Sequence, residues 1–297
     1  MIQVEIDPHS GFCGGVIRAI STAEQTLAEG GRLYSLGAIV HNEEELARLE
    51  ARGLVTIERS DLLQMDGSVS GESLLIRAHG EPPQVYDRVR GLGLRLIDCT
   101  CPVVLGLQKE IREAHARLDA SGGQVVIFGK IGHPEVLGLV GQVDGGVTVV
   151  ETPAQLREKI ASGDIRPDRD IELFSQTTMS PEGYGQVRDV LQGEMGTGAR
   201  LAVHDTICRQ VASRHRELSE FARAHDVVVF VSGRESSNGK VLCEHCRRAN
   251  IRTYHIGSAA ALRREWFGPD DRVGVCGATS TPKWLLEEVA AAIKNLQ

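Results

Sequence analysis

The chain has 297 residues, 41% of them apolar and 25% charged, with a formal net charge of −7. That is the make-up of a globular protein with ample length for a core; the acidic balance argues against broad binding to nucleic acid, and the longest apolar runs, such as VVVFV at 227–231, are too short to span a bilayer. Seven cysteines, an odd number not spaced as a disulfide framework, point to a reducing, cytoplasmic setting.

In chain order, MIQVEID reads as a strand and not as a targeting peptide; it runs into a loop, Cys13 and an amphipathic helical pattern. RLYSLGAIVHNEEEL is a second strand ending in a polar loop. LVTIE (54–58) is a third, leading into a short helical turn, RSDLLQ. SLLIRAHGEPPQVY is a fourth, its polar loop closed by Pro82, which suits the first turn of a helix.

The series then begins again. LRLIDCTCPVVLGLQKEI carries Cys101 between a strand and a helix, followed by QVVIFGKIGHPEVLG, by GVTVVE (146–151) with TPAQLREK, and by IELFSQTTMSPEGY with Pro181. A third pass sets Cys208 in ARLAVHDTICRQVASRHREL. It continues through VVVFVSGRESSNGKVL, IRTYHIG (251–257) with SAAALRR, and RVGVCGATSTPKWL with Pro282.

Strands alternating with helices predict βαβ units and mainly parallel sheets: an α/β chain of three similar domains, over 14–100, 101–207 and 208–297. Ligands in such sheets bind beyond the carboxyl ends of the strands. The loops there offer Cys13, His41, Asn42, His79, Cys101, His133, Glu135, Thr177, Thr178, Cys208, Ser236, Ser237, Asn238 and Ser280. Three thiolates at equivalent points can share a metal centre with one position left open, as in an iron–sulfur catalyst that binds its substrate directly. The histidines, hydroxyls and amides at helix starts suit phosphate oxygens, although no P-loop is present.

Glu135 is the one clear carboxylate among the loop tips. In a water-poor pocket it would hold a proton near neutral pH and deliver it; the plainer reading is a helix-start carboxylate facing the local dipole. Of the other cysteines, Cys99 and Cys276 are expected to pack at strand ends. Cys243 and Cys246, in C-E-H-C, make half a zinc site on a helix with no second pair to complete it. His9, His204, His215 and His225 are read as surface or capping residues. An iron–sulfur sensor would not need the Ser-Ser-Asn and histidine loops, and a zinc hydrolase with three cysteine ligands stays open until the metal is analysed.

GFCGGVIRAI, VHN, AHG, DCTCP, GHPEV, SQTT, TIC, SSN and the S-T-P at 280–282, in this order over residues 11–282, resemble the family of 4-hydroxy-3-methylbut-2-enyl diphosphate reductase. That family makes the last step of the methylerythritol phosphate route to isoprenoids. The resemblance implies three α/β domains in pseudo-threefold arrangement about a central 4Fe-4S cluster, with the strand in 1–13 joining the sheet of the third domain. Cys13, Cys101 and Cys208 would be the ligands, leaving one iron open. His41, His79, His133, Ser236, Ser237, Asn238 and Ser280 would hold the diphosphate, Thr177 would position the substrate hydroxyl and Glu135 would supply protons. The reaction implied is reductive dehydroxylation of an allylic diphosphate, with electrons from a small carrier such as ferredoxin or flavodoxin. Arg209-Gln210-Val211 depart from the alanine and threonine that many relatives carry after the last cysteine.

Overall fold

The computed structural model of the chain describes residues 2–296. The first pass comprises β1 (Gln3–Ile6), α1 (Gly14–Glu29), β2 (Leu33–Leu36), α2 (Glu43–Glu50), β3 (Leu54–Ile57), α3 (Arg59–Gln64), β4 (Ser73–Ile76) and α4 (Pro83–Gly91). The second comprises β5 (Arg95–Asp98), α5 (Pro102–Asp119), β6 (Gln124–Phe128), α6 (Pro134–Val140), β7 (Val147–Val150), α7 (Pro153–Ser162), β8 (Ile171–Ser175) and α8 (Pro181–Glu194). The third comprises β9 (Leu201–Val203), α9 (Arg209–Arg223), β10 (Val227–Val231), α10 (Ser237–Ala249), β11 (Thr253–Ile256), β12 (Arg272–Gly277) and α11 (Lys283–Asn295).

The strands form three four-stranded sheets, ordered β3-β2-β4-β5, β7-β6-β8-β9 and β11-β10-β12-β1. The order is the same each time. The edge strand leading to a cysteine lies beside the fourth strand of the pass before it, and for Cys13 that strand is β1, parallel to β12 with Gln3 opposite Arg272. The chain is therefore a cyclic threefold repeat in which the first strand completes the last sheet.

Central strands such as β2, β4, β8 and β10 are buried along their whole length, as parallel strands covered on both faces must be. In β10 the period of two is explicit. Val227, Val229 and Val231 pack on Leu285, Leu286, Val289 and Ile293 of α11, whereas Val228 and Phe230 face Leu218 of α9 and Leu242, Cys243 and Cys246 of α10. The core of the second sheet sets Leu107, Ile111, Ala114 and Leu118 of α5 against Val125, Ile127 and Phe174.

Two compact units can be distinguished. One holds the residues up to Asp61, Glu72–Arg77 and those from Arg209 onward; the other holds Leu62–Gly71 and Ala78–Cys208. No described helix is long and apolar enough to cross a membrane.

The expected turn of helix at SAAALRR is a 3₁₀ turn, Ala259–Ala261, and a second 3₁₀ turn, Arg264–Trp266, follows it. Its counterpart α7 is capped by the Thr152 hydroxyl on Gln155 N–H; Ser258 makes no such cap, and Trp266 turns back to stack on Tyr254 of β11 at 4.3 Å. Pro82 and Pro282 stand at the cap position just before their helices, while Pro181 is the first residue of α8.

Candidate active site

Each of the three repeat cysteines immediately precedes a helix, and each is pinned by the same hydrogen bond. The backbone N–H donates to a carbonyl in the loop after the fourth strand: Cys13 to Thr279 (3.2 Å), Cys101 to Ala78 (3.0 Å) and Cys208 to Thr177 (2.9 Å). Cys13 and Cys101 cap α1 and α5 without using their side chains. All three are partly exposed, whereas Cys99, Cys243, Cys246 and Cys276 are buried. Cys243, Cys246 and Cys276 pack together in the third core, where burial pushes the Cys243 thiol up to about 12 and Cys276 upward as well. The donor set fits an iron–sulfur cluster: three accessible thiols, equivalently held, at helix starts.

In the unit containing residues 78–208, the polar loops converge on Glu135. It is the second residue of α6 and is 1% exposed. Its carboxylate accepts from Thr177 N–H at 2.7 Å and from Thr177 Oγ1 at 2.8 Å. Those bonds favour the charged form, but burial outweighs them and raises the carboxyl to about 7. The plain helix-start reading thus accounts for where Glu135 lies but not for its proton affinity.

His133 caps α6: its Nδ1 accepts the Glu135 N–H at 3.2 Å, so the neutral ring carries its proton on Nε2. The ring of His79 meets that of His133 edge-on, with centroids 5.2 Å apart. Gln176, fully buried in the loop after β8, ties that loop to the one after β6 by accepting from Lys130 N–H (3.0 Å), and donates to Thr178 Oγ1 within its own loop (2.9 Å). His79, Cys101, His133, Glu135, Thr177 and Cys208 therefore all lie on loops of this unit.

The other unit holds His41, Ser236, Ser237, Asn238, Ser280 and Cys13. Ser236 caps α10, its Oγ accepting from Gly239 N–H at 3.0 Å and meeting Ser280 Oγ at 3.0 Å. Asn238 donates to Thr279 Oγ1 at 2.9 Å, while its buried Oδ1 has no hydrogen-bond partner among the described residues. Ser237, half-buried, is the first residue of α10. The loop after β2 lies against this cluster: a Cβ at Gly233 would run into the His41 carbonyl, so the close approach requires glycine. Asn42 caps α2 on Glu45 N–H at 3.0 Å.

Sequence reasoning passed over Gln176, whose role depends on two loops far apart in the chain. It also passed over Thr206 and Ser10, which hold the cysteine loops. The Thr206 hydroxyl accepts from Ser175 N–H and donates to Ser175 O, both at 2.8 Å, and Ser10 Oγ accepts from Gly277 N–H at 2.8 Å. A hydroxyl shortly before each of those cysteines was the available signal. Of the histidines set aside, His204 stacks on Phe174 at 4.1 Å and pairs with Glu172 at 2.9 Å, a structural role.

A family model described as LytB protein matches residues 4–294. The chain belongs to the LytB family. A relative from Parabacteroides distasonis named 4-hydroxy-3-methylbut-2-enyl diphosphate reductase is 48% identical over 296 residues, covering 100% of this chain and 99% of its own length. A solved structure described as (E)-4-hydroxy-3-methyl-but-2-enyl diphosphate reductase, the terminal enzyme of the non-mevalonate pathway, has a TM-score of 0.70 at 32% identity. It covers 99% of this chain and 100% of its own. The reductase structure from Plasmodium falciparum, at 23% identity, shares the fold with a TM-score of 0.84, covering 98% of this chain and 87% of its own.

Proposed function

We propose that the chain is a 4-hydroxy-3-methylbut-2-enyl diphosphate reductase. It takes the allylic diphosphate, two electrons and two protons to isopentenyl or dimethylallyl diphosphate plus water, closing the methylerythritol phosphate route in the cytoplasm. One observation carries this reading in a LytB-family chain. A buried carboxyl with a proton affinity near neutrality is bonded through Thr177, the residue whose carbonyl also anchors Cys208.

Cys13, Cys101 and Cys208 would hold a 4Fe-4S cluster, one from each of three domains over 14–100, 101–207 and 208–297, the last completed by 1–13. When bound, that cluster would supply single electrons and Lewis acidity to the reaction. The diphosphate is held by neutral donors and imidazoles: His41, His79, His133, Ser236, Ser237, Asn238 and Ser280. His133 donates from Nε2, the nitrogen left protonated by its cap. Thr177 orients the hydroxyl of the substrate, and Glu135, protonated for about half the molecules near pH 7, passes its proton toward the departing oxygen. Burial of this carboxyl also keeps bulk water from competing for the proton. Electrons come from a small carrier such as ferredoxin or flavodoxin.

The test is anaerobic turnover of the allylic diphosphate with a chemical reductant, alongside iron and sulfide analysis. Formation of both isoprenoid diphosphates by iron- and sulfide-loaded protein is expected; loaded protein that binds the diphosphate and yields neither product overturns the assignment.

A further inference from the structure

Away from the loops that face the proposed chemistry, one charged cluster is enclosed. The side chains of Arg214 and Asp7 are 6% and 4% exposed, and they pair at 2.6 Å. Arg214 Nη2 also donates to Ser10 Oγ at 3.0 Å, and Nη1 reaches Glu217 at 3.1 Å. Ser10 in turn donates to Asp7 Oδ2 at 2.6 Å and accepts from Gly277 N–H at 2.8 Å.

A buried ion pair is weak grounds for stability, because losing water offsets much of the attraction. What the guanidinium adds is direction: its planar fork fixes several acceptors at once. Here those acceptors are Asp7 and Ser10, in the loop that ends at Cys13. The fork itself stands on α9, the helix that opens directly after Cys208.

The three cysteine loops differ in length. Asp98 and Asp205 each stand three residues before Cys101 and Cys208, whereas Asp7 stands six before Cys13. A longer loop has more conformational freedom to lose. Gly11, inside it, adopts φ of +135°, a conformation that the loop must be made to keep. The loop before Cys208 is tied by the Thr206 hydroxyl to Ser175 and by His204 to Glu172 and Tyr184; the longer one has the equivalent hydroxyl, Ser10 on Gly277, and a buried cation in addition.

We propose that Arg214, acting through Asp7 and Ser10, is a positioning residue for Cys13, holding the longest of the three cysteine loops in its ligating geometry. The consequence for the cluster rests on the reductase reading; the restraint on the loop does not.

The experiment compares wild type with Ser10→Ala and Asp7→Asn. Anaerobic holoprotein is exposed to a chelator and iodoacetamide, and alkylation of each cysteine is followed by peptide mass spectrometry. EPR of the reduced protein is recorded in parallel. Losing the Ser10 hydroxyl is expected to speed alkylation of Cys13 by about tenfold, with Cys101 and Cys208 unchanged and the EPR signal altered. Asp7→Asn, which keeps the shape and removes the charge, is expected to show the same selectivity. Faster alkylation of all three cysteines together, or an unchanged Cys13 rate, overturns the proposal. Should wild-type protein hold no iron and sulfide, the cluster reading fails, while the selectivity at Cys13 still decides the positioning claim.

Discussion

The loops after β10 and β12 present hydroxyls and an amide: Ser236, Asn238, Thr279 and Ser280, hydrogen-bonded to one another. The loops after β4, β6 and β8 present His79, His133 and Glu135, with the carboxyl held near the midpoint of its titration at neutral pH. The same supersecondary unit has been given two kinds of tip. On the proposed reading the first tips hold the diphosphate together with the imidazoles, and Glu135 among the second supplies the proton. Anion binding and proton transfer would then be separable at Asn238 and Glu135, although both are built on the same strand-to-helix turn.

The largest break in that comparison is Glu135→Gln. The carboxamide keeps the size of the side chain but cannot deliver the proton, so kcat should fall by about 10²–10⁴-fold with KM little changed. Steady-state kinetics on cluster-loaded protein checks this; an unchanged kcat removes Glu135 as the proton source. Asn238→Ala should do the reverse. Removing one donor to a charged ligand costs about 1.5–3 kcal/mol, so KM should rise by roughly tenfold or more while kcat stays close to wild type.

A smaller effect is the position of the alkaline limb. Rate should decline as pH rises through about 7, where Glu135 loses its proton. The Thr177 hydroxyl lowers the proton affinity of that carboxyl, so Thr177→Val should move the limb to higher pH. A limb that stays put, or moves down, contradicts the hydrogen-bond account.

The smallest effect is on stability. Burial raises the folded-state value of Glu135 from 4.5 to about 7, so between those values the folded chain keeps a proton that the unfolded chain has released. The stability from this group is present below about pH 4.5 and is lost as pH climbs through about 7. Relative to wild type, Glu135→Gln should therefore gain in urea midpoint between about pH 5 and pH 8. A constant difference between the two would show that Glu135 does not titrate in this window.

Much of the fold was legible because strand cores such as VVVFV and SLLI are short apolar runs punctuated by Gly, Pro and hydroxyl residues. The repeated cysteine was legible because it falls at the same strand-to-helix turn each time. At SAAALRR the expected turn of helix is 3₁₀ where its counterpart α7 is an α-helix: no side chain caps the turn and Trp266 packs on the face of Tyr254. The candidate site was legible as residue types at loop tips. What holds those tips was not. Gln176 bridges to Lys130, and Arg214 bridges to Asp7 over a separation of 207 residues, with no local pattern to mark either. The proton affinity of Glu135 was foreseeable in direction from a water-poor loop, but the Thr177 clamp that opposes it needed the fold.

The central claim is that three accessible cysteines, and not the four buried ones, hold one cluster. Iron and acid-labile sulfide are to be measured in anaerobically prepared Cys13→Ser, Cys101→Ser, Cys208→Ser and Cys246→Ser proteins beside the wild type. Wild type and Cys246→Ser should carry one 4Fe-4S cluster per chain, and the other three should lose it together with reductase activity. Full iron, sulfide and turnover in Cys101→Ser would contradict the account.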